Sequence, residues 1–157
     1  MRVKTELSER PPAFTVDRSM GKAAITFYTN VEQLQREDGE ACSAIAWSIE
    51  RDWTDNIAER VAADPDKWFA MVSAECYEVA AAEVRKIRDE LLQASDASMA
   101  LDRLGLVAPS GSTFTAWLSF LRGLGDVLKG KVAAYRQALR DIPEQEGFPY
   151  DITWPEA

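Results

Sequence analysis

Glu40-Ala-Cys-Ser-Ala-Ile-Ala-Trp-Ser-Ile-Glu-Arg-Asp-Trp-Thr-Asp-Asn-Ile-Ala-Glu-Arg-Val-Ala62 sets the class of the chain. Ala46, Ile49, Trp53, Ile57 and Val61 recur at steps of 3, 4, 4 and 4, and Ala41 and Ile45 widen the stripe. This is the spacing of one helix face, so it predicts a helix over 40–62. Asp64-Pro65 opens a second helix. The Asp64 carboxylate can cap free N–H groups, and Pro65 suits the first helical position. That helix is the longest of the chain and runs to about Ala94. Trp68, Val72, Cys76, Val79, Ile87 and Leu91 form its inner stripe, with Glu83 and Val84 at the seam. Glu75, Glu78, Arg85, Lys86, Arg88, Asp89 and Glu90 form its outer face.

Working towards the N-terminus, Ile25 and Phe27 alternate with Thr26 and Tyr28, the period of a short strand over 22–29. Asn30 ends it, and Asp38-Gly39 signals a turn. Residues 1–19 mix charge with Pro11-Pro12 and read as a leader, flexible or bound to a partner. Met20 reads as an alternative start. Working towards the C-terminus, Ser95–Leu104 is a short helix or turn, and 107–112 is a loop with Pro109 and Gly111. Thr113–Leu121 is a third apolar segment, loosened by Gly123 and Gly125. A last helix starts at Asp126, with Val132, Tyr135, Leu139 and Ile142 on one face. Pro143 stops it, having no N–H to donate. Gly147, Pro149 and Pro155 keep the remainder extended, so Phe148, Ile152 and Trp154 need a surface to lie on.

The architecture expected is therefore mainly α, a helical hairpin or bundle with a small N-terminal β element and an extended C-terminal arm. Its parts are a leader (1–21), a strand plus two helices (22–96), an apolar insert (97–125), and a helix with an aromatic and proline arm (126–157). Together they make one compact domain. The 157 residues suffice for that, and 46% hydrophobic with 28% charged residues is ordinary for a folded protein.

The formal net charge is −8, which disfavours phosphate backbones and hence nucleic acid. The densest basic run, Arg85-Lys-Ile-Arg88, is flanked by acids. There is no histidine, which excludes His-based triads and His metal sites. Cys42 and Cys76 read as buried free thiols, with a disulfide between two helices left open. No apolar signal region is visible at the N-terminus. The most apolar window, Ala116–Leu128, is too short and too polar to span a membrane.

Four features bear on chemistry or binding. Gly125-Asp-Val-Leu-Lys-Gly-Lys131 fits the phosphate-cradling G-x-x-x-x-G-K, but Val132 stands where a Mg²⁺-binding hydroxyl is needed. The pattern reads as a loop entering a helix, and a nucleotide switch is the weakest of the functions considered. Glu75, Glu78 and Glu83 are a solvated face, because a helical carboxylate site needs partners from other helices. No cofactor, metal or catalytic residue is expected. Arg136 and Arg140, at i and i+4, project together, either to acids on the long helix or to a partner's carboxylates. Trp154, alone among the five tryptophans in a terminal arm, docks on its own domain or on a partner.

The run Tyr135-Arg-Gln-Ala-Leu-Arg-Asp-Ile-Pro-Glu-Gln-Glu-Gly-Phe-Pro-Tyr-Asp-Ile-Thr-Trp-Pro155 resembles the end of bacteriophage tail assembly chaperones, or tail-fibre assembly proteins. Val84-Arg-Lys-Ile-Arg-Asp-Glu-Leu-Leu-Gln-Ala-Ser-Asp96 resembles the same family's Arg-x-x-Arg-Asp-x-Leu-Leu-x-x-Ser-Asp helix end. Ile25–Glu32 with Asp38-Gly39 is a looser match. The family's Trp-Thr after Ser-Asp is replaced by Ala97-Ser98, and the connection to Tyr135 is longer and more apolar. The resemblance implies a non-enzymatic protein of bacteriophage assembly. It would bind a tail or tail-fibre protein in the host cytoplasm and assist its folding or attachment. It also implies an antiparallel helical hairpin fastened by residues such as Arg85, Arg88 and Arg136. The alternative is a structural virion component, an adaptor in the tail, neck or baseplate with the same fold. Homo-oligomerisation is left open. The residues expected to meet the partner are Phe114, Trp117, Phe120, Arg136, Arg140, Phe148, Pro149 and Trp154.

Overall fold

In the computed structural model, which describes residues 1–36, 39–96, 108–111, 113–128 and 130–156, most of the first expected helix is a strand. Four strands, β1 (Arg2–Leu7), β2 (Phe14–Ser19), β3 (Lys22–Arg36) and β4 (Gly39–Asp52), form one antiparallel sheet in the order β1-β4-β3-β2. The fold is mixed α/β, which corrects the mainly-α expectation.

The reason is non-local. Ile45, Trp47 and Ile49 also alternate, and β-branched and aromatic residues suit a pleated surface. β4 lies between two neighbours and satisfies its backbone on both edges, with Val3 opposite Ala46 and Ile25 opposite Ile49. The supposed leader supplies both edge strands. Met20 and Gly21, both at positive φ, close the β2–β3 hairpin at Ser19 and Lys22, and a two-residue hairpin turn calls for that conformation. Asn30 does not end β3. It takes a positive φ at a bulge between Thr29 and Glu32, and the strand continues to Arg36. Of the Asp38-Gly39 turn, only Gly39 lies within the described residues.

Among the described residues four α-helices follow: α1 (Ile57–Ala63), α2 (Pro65–Asp96), α3 (Phe114–Leu128) and α4 (Lys131–Arg140). α2 starts as its sequence predicts, with the Lys67 N–H donating to Asp64 Oδ1 at 3.2 Å. The helix expected from Asp126 instead begins at Lys131. Gly123 and Gly125 lie inside α3, and Gly130 is the N-cap of α4. The segment Ser95–Leu104 falls largely outside the described residues, and so do positions 107 and 112 of the expected loop.

The chain divides into two compact units, Met1–Ala80 and Ala81–Ala157, and α2 contributes to both. In the first, one face of the sheet supplies Ala23, Ile25, Phe27 and Ile49 to a core completed by Ile57, Val61, Val72 and Cys76. Phe14, Phe27, Phe69 and Trp47 stack in sequence with ring centroids 5.5–5.9 Å apart. Each fully buried Ile or Val contributes about 1.5–3 kcal/mol. Cys42, which is in β4 rather than a helix, and Cys76 are buried and unbridged. Val79, assigned to the inner stripe, is 61% exposed. It borders a cleft of about 400 Å³ with Thr26, Ser48 and Glu75. Ile87 is also exposed.

The arm is not extended. A 3₁₀ turn (Ile142–Glu144) leads into hydrogen-bonded turns, with Phe148 N–H donating to Gln145 O at 3.0 Å and Tyr150 N–H to Gly147 O at 2.9 Å. Proline and glycine here bend the chain rather than stretch it. A Cβ on Gly147 would lie 2.2 Å from Asp151 O, so this turn requires glycine.

Candidate partner-binding surface

Two sequence runs meet at the end of α2. An α-helix leaves its last carbonyls without partners and carries partial negative charge there, so it attracts a cation. Arg136 on α4 supplies one. Its Nη1 donates to Leu92 O at 3.0 Å and to Asp96 Oδ1 at 2.7 Å, and it also meets Ser95 Oγ. Ser95 is buried and donates its own hydroxyl to Leu92 O at 2.7 Å. The Arg136 side chain is only 17% exposed and its contacts with Leu92 and Ser95 are part-buried, whereas Asp96 faces solvent. Of the two alternatives open for Arg136, the structure shows the internal pairing. Arg140, one turn later, is exposed. Arg88 pairs with its neighbour Asp89 at 2.6 Å.

α4 orients this anchor because Leu139 and Ile142, two members of its expected apolar face, are fully buried. Its last turn continues into the arm, which a single side chain locks. Gln145 Nε2 donates to Thr153 O, and Thr153 N–H donates to Gln145 Oε1, each at 2.9 Å. The amide thus imitates a strand neighbour. The Arg85 guanidinium lies 5.6 Å from the Phe148 ring centre. Pro149 is buried, and Phe148 and Trp154 are half-buried. The Gln145 lock escaped the sequence reading, since nothing in residue spacing marks an amide aimed at a backbone eight residues away.

α3 behaves differently. Thr115, Ser119, Arg122 and Asp126 recur at steps of 4, 3 and 4 and make one polar stripe. Phe114, Trp117, Leu118, Phe120, Leu121 and Leu124 occupy the rest of the circumference. α3 touches α4, yet none of its described side chains is buried. Phe114 is 78% exposed, Leu121 56% and Trp117 42%. Together these three present about 300–400 Å² of apolar surface, a patch of the size that is often functional on a monomer. Phe120 is half-buried and stacks edge-on against Trp117 at 5.9 Å, and the Trp117 indole N–H donates to Gly111 O at 3.0 Å. The aromatic residues expected at a partner are thus split between an exposed helix and a folded arm.

Among the described residues no group of three or more His, Cys, Asp and Glu side chains is placed to hold a metal. Gly125–Lys131 spans the end of α3 and the start of α4, not a strand-to-helix loop, and Lys129 lies outside the described residues. Charge perturbation is found in residues 1–80. The Arg51 guanidinium forks onto Glu75, Nη1 to Oε1 at 3.2 Å. That hydrogen bond raises the Arg51 pKa and lowers that of Glu75. Asp52 is lowered and Lys22 raised by their mutual hydrogen bond. Among the described residues no helix is long and apolar enough to cross a membrane.

Residues 81–157 match the family model described as phage tail assembly chaperone protein. The matched span coincides with the second compact unit, and it bears out the resemblance read from the sequence there. The match supports a role in phage tail assembly. No curated protein and no solved structure matches the chain significantly.

Proposed function

We propose that the C-terminal unit binds a phage tail or tail-fibre protein during assembly in the host cytoplasm and keeps an apolar segment of it from aggregating. The observation that carries this reading is the uncovered apolar face of α3, within the span that matches the chaperone family. A helix with Phe114, Trp117 and Leu121 at i, i+3 and i+7 presents the anchors of a helix-in-groove contact. The Arg136 anchor and the Gln145 lock are scaffold to that surface. Arg140, exposed on α4, offers a guanidinium to a partner carboxylate. The protein acts by binding, and no bond is made or broken.

The test is co-expression with the tail and tail-fibre proteins of the same phage. The wild-type protein should raise the soluble fraction of one of them and co-purify with it. Phe114→Ser with Leu121→Asp should reduce capture at least tenfold. Their effect on folding should stay within about 0.5 kcal/mol per site, because both side chains are exposed. Undiminished capture by the double variant would sink the assignment of α3. Equal solubility of every tail protein without the chain would sink the chaperone role itself. Stoichiometric presence in purified particles would favour the structural virion component instead.

A further inference from the structure

α1 and the start of α2 border a cavity of about 620 Å³ lined by Arg60, Ala63, Asp64, Lys67, Trp68 and Met71. Its volume is that of a small-ligand or side-chain pocket. It lies in residues 1–80, outside the family match, and the function proposed above does not use it. Trp68 makes the floor. It packs against the core cluster, and its indole N–H is already given to Arg60 O at 3.1 Å. What it offers a ligand is therefore ring surface rather than a donor. Met71, three residues on and 39% exposed, extends that apolar floor.

The rim is cationic. The Arg60 guanidinium lies 5.8 Å from the Trp68 ring centre. Among the described residues neither Arg60 nor Lys67 forms an ion pair. The one lining acid, Asp64, is engaged in capping the Lys67 N–H. Residues 1–80 hold nine Lys and Arg against fifteen Asp and Glu, so this rim is a positive spot on an acidic unit. The charge selects an anion, and the local backbone selects which kind. Pro65 brings no N–H, and that of Lys67 is taken, so little remains of the donor cradle that a phosphate uses. A guanidinium fork beside an ammonium suits a carboxylate.

We propose that this cavity binds a short acidic peptide segment of a partner protein. A large apolar side chain sits on Trp68 and Met71, and the neighbouring carboxylates meet Arg60 and Lys67. The chain thereby has a second recognition site, distinct from α3.

The experiment uses the full chain labelled with ¹⁵N, with the Trp68 indole resonance assigned by Trp68→Phe. The probes are acetyl-Glu-Phe-Leu-Glu amide, its counterpart acetyl-Lys-Phe-Leu-Lys amide, and ATP. The acidic peptide should move the Trp68 resonance saturably, and the basic one should not. Arg60→Gln and Lys67→Gln, exposed substitutions that leave the core intact, should each weaken binding about threefold to tenfold. Raising the salt should weaken it too. No saturable shift, equal shifts with both peptides, indifference to both charge changes, or tighter binding of ATP would each overturn the proposal.

Discussion

Residues 1–80 bury ten apolar side chains among those described, whereas residues 81–157 bury Ala81, Leu139 and Ile142 together with Pro149. The first unit is held by a sheet laid on α1 and the start of α2 through one apolar core. The second is held at a few polar points, Arg136 at the end of α2 and Gln145 against Thr153. The first unit buries more apolar side chains, although Met71 and Val79 stay exposed. A unit stabilised by directed hydrogen bonds can leave apolar surface over, and α3 does so with Phe114, Trp117 and Leu121. The difference separates a unit with a shared apolar core from one whose aromatic helix stays uncovered.

The largest effect expected from this contrast is on the sheet unit. Ile25→Ala removes a fully buried side chain opposite Ile49 and should cost about 2–5 kcal/mol. Urea unfolding followed by fluorescence would measure it, with Trp47, Trp53 and Trp68 reporting on the first unit and Trp117 and Trp154 on the second. The transition is not assumed to be two-state, and a variant retaining only one of the two tryptophan sets is a legitimate outcome. A loss below about 1 kcal/mol would remove the burial half of the comparison.

The next effect should fall on the second unit. Arg136→Ala leaves Leu92 O, Ser95 and Asp96 without their shared donor and should cost about 1.5–3 kcal/mol, the range for hydrogen bonds to charged groups. The Trp117 and Trp154 signals should change first. Arg136→Lys should recover only part of the loss, because an ammonium lacks the planar fork. An Arg136→Ala protein as stable as the wild type would show that the second unit, too, rests on burial.

What could be read from the sequence followed locality. The start of α2 at Asp64-Pro65 is written in two adjacent residues, and the structure realises it. Leu139 and Ile142 were assigned to the core by their spacing and are fully buried. The two runs that resemble the chaperone family lie where the family model matches, and Arg136 joins them. The sheet was not legible, for a physical reason. Ala46, Ile49, Trp53, Ile57 and Val61 fit a helix, Ile45, Trp47 and Ile49 fit a strand, and only the pairing with Val3 and Ile25 breaks the tie. Ile57 and Val61 do lie on a helix, α1, so the stripe was right for one end of the segment and wrong for the other. In α3 the apolar residues outweigh Gly123 and Gly125, each of which costs only about 1 kcal/mol in a helix. The partner-contact residues are a different matter. Their positions are known, and their role rests on the capture experiment.

The smallest expected effect is a pH dependence confined to the sheet unit. Glu75 on α2 is held below its ordinary value of 4.5, first by the hydrogen bond from Arg51 on β4, against the opposing effect of burial, with that cation's charge and the N-terminal ammonium adding less. The unfolded chain takes up the proton at the ordinary value and the folded chain only at a lower one. The pair's contribution is therefore fully present above about pH 4.5 and is lost as the pH falls through the depressed value. Both side chains are a third or more exposed, so solvent screening holds the contribution to about 1 kcal/mol or less. Urea midpoints read from the sheet-unit tryptophans between pH 3 and pH 7 should show this loss, and Glu75→Gln should flatten it without moving the signal of the second unit. An equal acid response in Trp117 and Trp154 would mean that charge holds both units alike, and the contrast between burial and polar anchoring would have to be redrawn.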